Sequence, residues 1–372
     1  MKYTFGKIAI NSTAKKKPTE EDKYHYIGLE HLSSDTFDIS NYGSDVAPTG
    51  EKLIMQKGDI LFGKRRAYQK KVGISPIDGI FSAHGFVLRP RKEIINPEYF
   101  PFFIASNQFL ETAIRISVGG LSPTVNWKDL EKQEFDLPSL SEQKILAEKL
   151  WAAYHLKESY KKMIEATDEM VKSRFIEMFG NPFLNDKNWE RYETLESVTQ
   201  IVLGSTPDTK NPSYWDGECR WITPAEMDDE TFIVNDTVRH ITQEGVKKAH
   251  LTLMPEGSVL LSTRAPIGKI GIVGKEMYCN QGFKNFICGD DIDSVFLYYT
   301  LKLNKGTLCS MGTGTTFKEL SRKSVASIKV SIPPIQLQKE FDTIYKQADK
   351  SKFELREAIK RVESMMKSLM NS

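Results

Sequence analysis

The chain has 372 residues, 40% of them hydrophobic and 27% charged, with 51 Lys and Arg set against 49 Asp and Glu for a net charge of +2. A chain of this length outgrows a single hydrophobic core, so two or more domains are expected. No run approaches the roughly 20 apolar residues of a membrane span, and the first residues lack the apolar segment of a signal peptide, so we expect a cytoplasmic protein with no membrane partner.

Cys219, Cys279, Cys288 and Cys309 have the spacing of neither a disulfide framework nor a zinc site. They read as reduced thiols, and no metal is expected. The near-zero net charge neither demands nor excludes a nucleic acid.

Residues 1–139 alternate short β-type runs with turn signals, as in Gly58-Asp59-Ile60-Leu61-Phe62. A strand is expected within Tyr24 to Leu32, and an amphipathic helix from Pro97 to Ile116, opened by its proline. Residues 140–179 differ in character: from Ser141 to Met178 there is neither Pro nor Gly. Ser141 is placed to cap this helix, and Gly180 and Pro182 to stop it. Residues 180–334 return to short strands, with a helix expected from Ile292 to Leu308, and residues 335–372 form a second long helix.

The two halves are copies of one unit. A shift of 195 residues lays Leu137-Pro138-Ser139-Leu140 on Ile332-Pro333-Pro334-Ile335, and Gln143 on Gln338. The register then runs without a gap to Met365-Met366-Lys367-Ser368. With small shifts, Lys57 to Phe62 pairs with Glu256 to Leu261, Arg65 with Arg264, Gly85-Phe86 with Gly282-Phe283, and Ser117-Val118-Gly119 with Ser310-Met311-Gly312.

In the second helix Phe341, Tyr345, Ala348, Lys352, Leu355, Ile359, Val362, Met366 and Leu369 follow a 4-3 spacing throughout. The first helix repeats it with Leu146, Leu150, Ala153, Lys157, Tyr160, Ile164, Thr167, Val171 and Arg174. Such a seam is a coiled-coil repeat, and the Lys at one shared position can fix its register. Because the second globular part begins where one helix ends and finishes where the other begins, the helices are expected to run antiparallel. That places a globular part at each end of a rod of about 57 Å, with the halves related by a pseudo-twofold axis. The fold class is therefore α+β: two mixed, strand-rich domains, each followed by a long helix.

Catalytic signatures are absent: there is no phosphate loop, no His-Glu-x-x-His and no nucleophile elbow. His25, His31, His84, His155, His240 and His250 are dispersed and read as structural or surface residues. Asn211-Pro212-Ser213-Tyr214 resembles the loop with which amino-methyltransferases hold a target amine. It departs at its third position, and no glycine-rich cofactor loop accompanies it, so a turn is expected.

Two pairs of loops carry more information. Lys64, Arg65, Arg66, Gln69, Lys70 and Lys71 lie in an eight-residue stretch without an acid, and its counterpart keeps Arg264 and Lys269. Gly119 to Lys128, with Ser122 and Thr124, matches Gly312 to Lys318, with Thr313, Thr315, Thr316 and Lys318. Cations bind phosphates, Arg and Gln can read base edges, and hydroxyls can donate to either. One scaffold carrying divergent loops suits the reading of two different half-sites.

With these features the chain resembles the specificity subunits of type I restriction-modification systems. The family's junctions look like Leu137 to Gln143 and Ile332 to Gln338, and its domain entries look like Gly204-Ser205-Thr206-Pro207 through Trp221-Ile222-Thr223-Pro224-Ala225-Glu226-Met227 and, in the first half, Tyr26-Ile27-Gly28-Leu29-Glu30. The resemblance implies two target-recognition domains (1–139 and 180–334) with spacer helices (140–179 and 335–372). It implies a non-catalytic subunit that reads a bipartite, asymmetric double-stranded DNA site, one half per domain, and docks two modification subunits and the restriction subunits. S-adenosylmethionine, ATP and Mg would belong to those partners, with no cofactor in this chain. A solitary DNA adenine methyltransferase and a protein-binding scaffold are the alternatives.

Overall fold

The computed structural model describes residues 1–264, 266–314 and 318–370. It divides into two compact units, one made of Met1–Lys162 with Leu355–Ser372 and the other of Met163–Glu354. The division falls inside both long helices, which occupy Leu140–Phe179 and Ile335–Met370. Each unit therefore owns a piece of each helix.

In the first unit the N-terminal strand Lys2–Thr4 pairs antiparallel with Glu134–Asp136, just before the first long helix. A four-stranded antiparallel sheet follows, ordered Ala9–Ser12, Phe86–Pro90, Ile60–Phe62, Val72–Ile74. Ile60, Leu61 and Phe62 are all buried because side chains alternate across the sheet and both of its faces are covered. A second sheet joins Lys15–Lys16, Lys52–Met55, Gly79–Phe81 and Tyr26–Ile27, the last pair parallel.

The second unit repeats the plan. Tyr192–Thr194 pairs with Lys329–Ser331. The sheet of Thr199–Leu203, Lys284–Cys288, Val259–Leu261 and Ile270–Val273 gains a fifth, parallel strand, Ile233–Val234. A three-stranded sheet is built from Arg239–Ile241, Trp215–Ile222 and Tyr278–Cys279.

The ladders move one sequence pairing by a residue. Leu88 faces Ile60, and Phe286 faces Val259, so two residues earlier Phe86 corresponds to Lys284 and not to Phe283. The pleat agrees: Phe86 joins the core that reaches the long helices, whereas Phe283 points into the cluster on the other face of its sheet.

The helices expected at Pro97–Ile116 and Ile292–Leu308 are each two helices. Ser106, extended at ψ 153, ends Phe100–Ala105, and its hydroxyl accepts from the Phe109 amide at 3.3 Å to start Asn107–Arg115. Asn304 likewise separates Ser294–Leu303 from Lys305–Met311. Pro97 precedes the first of these helices, and Pro101 occupies its first turn. Of the strand expected within Tyr24 to Leu32 only Tyr26–Ile27 forms, with 3-10 turns on both sides; the His31 ring nitrogen accepts from the Gly28 amide and holds the chain curled.

The long helices are anchored by matching devices. Ser139, not Ser141, caps the first: its hydroxyl accepts from the Glu142 amide while the Glu142 carboxylate accepts from the Ser139 amide at 2.8 Å, a reciprocal capping box. Gly180 ends this helix at φ +70, and its amide reaches the Ile176 carbonyl. One turn into each helix stands a buried glutamine. Gln143 accepts from the Asn96 amide and donates to the Ile94 and Pro138 carbonyls. Gln338 accepts from the Asp293 amide and donates to the Asp291 and Pro333 carbonyls. Each therefore fastens its helix to the loop that leads into the helical pair preceding it in the chain.

Along the seam Leu150, Ala153, Lys157, Val171, Phe341, Tyr345, Ala348, Lys352, Val362 and Met366 are buried. Leu146, Tyr160, Ile164, Leu355, Ile359 and Leu369 are half-buried. The spacing fails at its last position in the first helix: Arg174 is exposed and pairs with Glu177, and Phe175 and Phe179 fill the core instead. In the second unit the Phe175 ring lies 4.9 Å and the Phe179 ring 5.7 Å from Phe341, while Lys352 reaches Asp168. Later residues of one helix meet earlier residues of the other, so within this unit the two run antiparallel.

The seam lysines are both accommodated. Lys352 donates to Asp168 at 2.7 Å; in the first unit Lys157 lies 3.9 Å from Glu363 and donates to the Asp35 carbonyl. Lys157 and Lys352, like Asp168 and Glu363, are partners under the 195-residue shift.

Candidate nucleic-acid interface

In the first unit the two loops singled out in the sequence meet. The Arg66 amide donates to the Pro123 carbonyl at 2.7 Å and the Val125 amide to the Lys64 carbonyl at 3.0 Å. Thr124 bridges to both Arg65 and Val118, and the Arg66 guanidinium donates to the Ser122 hydroxyl at 3.2 Å. A short turn, Ala67–Gln69, is bounded by Arg66 and Lys70, both left-handed with φ of 56 and 52. This conformation costs a non-glycine residue roughly 1 kcal/mol or more and is held by the loop contacts.

The cationic cluster divides there. Lys64, Arg65 and Arg66 face the Ser122–Thr124 loop. Lys71 donates to the Leu29 carbonyl at 2.7 Å, Gln69 is exposed, and Lys70 lines a different cavity with Lys157 and Glu363. Among the described residues none of Lys64, Arg65, Arg66, Lys70 and Lys71 forms an ion pair.

Beside Lys64 opens a cleft of about 430 Å³, lined among others by Asn11, Thr13, Lys15, Asn126 and Trp127. Burial, together with Lys15, lowers the Lys64 pKa, and its ammonium sits 5.1 Å from the Phe86 ring. His84 stands 3.4 Å from Arg65, and burial, then Arg65, Lys64 and Lys52, hold its pKa below the usual value. Lys15, Lys52, His84, Asn11 and Thr13 were missed in the sequence because they arrive from separate strands and turns; the Lys15-Lys16-Lys17 run was the one available signal.

The second unit builds the same frame with other side chains. Glu319 takes the place of Thr124, bridging to Arg264 and Thr313, and the Leu320 amide donates to the Thr263 carbonyl at 2.9 Å. Glu319 holds Lys284 at 2.7 Å and lies 3.8 Å from Arg264. The hydrogen bond from Lys284 keeps its carboxyl below the usual range. Lys269 is turned inward, donating to the Pro224 carbonyl at 2.7 Å, while Thr313 and Lys318 are exposed. Thr315 and Thr316 lie outside the described residues.

Asn211 accepts from the Ser213 amide and hydroxyl and so caps a single 3-10 turn, Pro212–Tyr214, as the turn reading expects. Among the described residues no three His, Cys, Asp or Glu side chains gather as metal ligands, and all four cysteines are free. Burial pushes the Cys279 thiol up to about 12, which makes it unreactive. No helix among the described residues is long and apolar enough to cross a membrane.

The chain resembles known proteins in sequence and in fold. Over 180 residues, 47% of this chain and 41% of the relative, the sequence is 32% identical to the type I restriction enzyme MjaIX specificity subunit of Methanocaldococcus jannaschii, so the match spans less than half of that protein. The putative type I restriction enzyme MjaX specificity subunit of the same organism is 25% identical over 394 residues, covering 98% of this chain and 89% of the relative.

In fold, the chain is similar to the type I restriction-modification S subunit from M. genitalium, with a TM-score of 0.59 at 14% identity, covering 100% of this chain and 94% of that one. A chain from a structural study of type I restriction-modification assembly and conformational transition gives a TM-score of 0.56 at 18% identity, covering 100% and 96%. The model of the type I restriction modification DNA specificity domain matches twice, at residues 5–166 and 186–363. Two matches, one in each half, cover most of the chain, and the chain belongs to that family.

Proposed function

We propose that this chain is the non-catalytic DNA-reading subunit of a cytoplasmic type I restriction-modification complex. Residues 1–139 and 180–334 serve as target-recognition domains, each reading one half of a bipartite, asymmetric site in double-stranded DNA. The helices 140–179 and 335–372 serve as spacers. Two modification subunits, which bring S-adenosylmethionine, and restriction subunits, which bring ATP and Mg, complete the assembly.

The observation that carries this reading is the paired loop frame. An arginine, Arg65 or Arg264, lies against a second loop in both units, with Thr124 beside one and Glu319 beside the other. Equal scaffolds with unequal side chains are what two half-sites of different sequence require. The test is methylome sequencing of a host that co-expresses the chain with a cognate modification subunit. A split, asymmetric methylated motif is expected. Methylation by the purified chain alone, or binding of S-adenosylmethionine to it, would overturn the reading.

A further inference from the structure

Glu319 is an acid inside a loop frame whose counterpart loops in the first unit, residues 64–71 and 119–128, contain no Asp or Glu. Its Oε1 accepts from Lys284 at 2.7 Å, and Oε2 stands 3.8 Å from the Arg264 guanidinium, beyond hydrogen-bond length. Oε2 makes no hydrogen bond among the described residues. The Glu319 side chain is 41% exposed and that of Arg264 37%, so a donor fork and an open acceptor stand side by side at the surface. Stability alone is a weak reason for the arrangement: Lys284 has a side chain only 9% exposed at the ladder place where the first unit has Phe86, and desolvating that ammonium costs free energy that a half-exposed partner only partly offsets.

From this the geometry points to the Arg264–Glu319 pair as the reader of a G·C base pair, in the major groove of the half-site bound by the second unit. The inference rests on reading the chain as a DNA-specificity subunit. Across the major-groove edge a G·C pair presents two adjacent acceptors, guanine N7 and O6, and then one donor, cytosine N4. The guanidinium supplies adjacent donors and the carboxylate only acceptors, which matches that order. An A·T pair alternates acceptor, donor and acceptor and ends in a methyl group, so it would leave part of the fork unpaired. Lys284 acts as a positioning residue that fixes Glu319 through the oxygen the base does not use.

The test compares methylated motifs from hosts co-expressing the modification subunit with the full-length wild-type chain, Arg264→Ala or Glu319→Gln, together with thermal melting of each purified chain. Gln keeps an acceptor for Lys284 and removes the charge. The double variant Lys284→Phe with Glu319→Thr, which installs the first unit's residues, covers the case in which Glu319→Gln folds poorly. We expect all variants to relax one shared position, a G·C pair, with discrimination falling roughly tenfold to hundredfold, while the other half-site and the gap stay as in wild type. An unchanged motif with a lowered melting point would make Glu319 a structural counterion only and overturn the inference. So would relaxation at different positions, or at an A·T pair. The lack of any motif with the wild-type chain would instead overturn the reading of the chain as a specificity subunit, before any variant is compared.

Discussion

The two loop frames share their backbone and differ in charge. In the first unit Lys64, Arg65 and Arg66 gather beside Ser122 and Thr124, with His84, Lys15 and Lys52 close by and, among the described residues, no paired acid on the three loop cations. In the second, Arg264 shares Glu319 with Lys284, and Lys269 is spent on a backbone carbonyl. Repeating a fold therefore did not repeat an electrostatic surface. The first frame is suited to phosphate contact, which sets affinity, and the second to a base edge, which sets sequence.

The largest effect expected from this contrast is on salt dependence. Replacing Lys64, Arg65 and Arg66 together by Ala should weaken DNA binding by the complex and reduce the slope of log affinity against log salt by about 2 to 3, at ~0.9 per lost phosphate contact. Arg264→Ala should reduce it by less than about 1, because Glu319 already offsets that charge. Titrations at several salt concentrations measure both, and equal slopes for the two variants would erase the distinction.

What the frames share can be tested next. Gln143→Leu and Gln338→Leu should each destabilise by about 1–3 kcal/mol, since the amide of Asn96 or Asp293 is left buried without its acceptor. Hydrogen exchange should show faster opening near Asn96 for the first and near Asp293 for the second. Exchange that rises in both units from either substitution would contradict local anchoring.

A smaller effect concerns pH. Burial and three cations hold His84 below its usual pKa, so the unfolded chain, near ~6.5, takes up this proton first. Its contribution to stability is present above the unfolded value and is lost as pH falls from there through the lower folded one. A DNA phosphate at the cluster reverses the balance by favouring the protonated ring, so affinity should rise as pH falls from about 7.5 to about 6. His84→Gln should flatten that rise, and the second unit's frame should contribute none.

The repeat made the largest features legible. A gapless 195-residue register and a 4-3 spacing located both long helices, and the pairing of Arg65 with Arg264 located both frames. The rest depended on contacts between distant residues. Ser106 breaks a helix whose apolar pattern runs straight through it, because a serine hydroxyl competes for the amide three residues ahead. Arg174 held a seam position on spacing alone, but Phe175, one place on, offers more apolar surface to bury. Glu319 went unremarked because an acid in a loop carries no signal until Lys284 and Arg264 are seen beside it. Lys52 and His84 join the cationic cluster only once the strands align.

The most direct test of two separate readers is to compare the methylated motif of the wild-type complex with those of two variants, Lys64, Arg65 and Arg66 all to Ala, and Arg264→Ala. The account predicts that Arg264→Ala relaxes a position in one half of a split motif, while the triple variant lowers methylation at every site and leaves both halves and the gap as in wild type. Both variants altering the same half, or a motif that is not split, would contradict it.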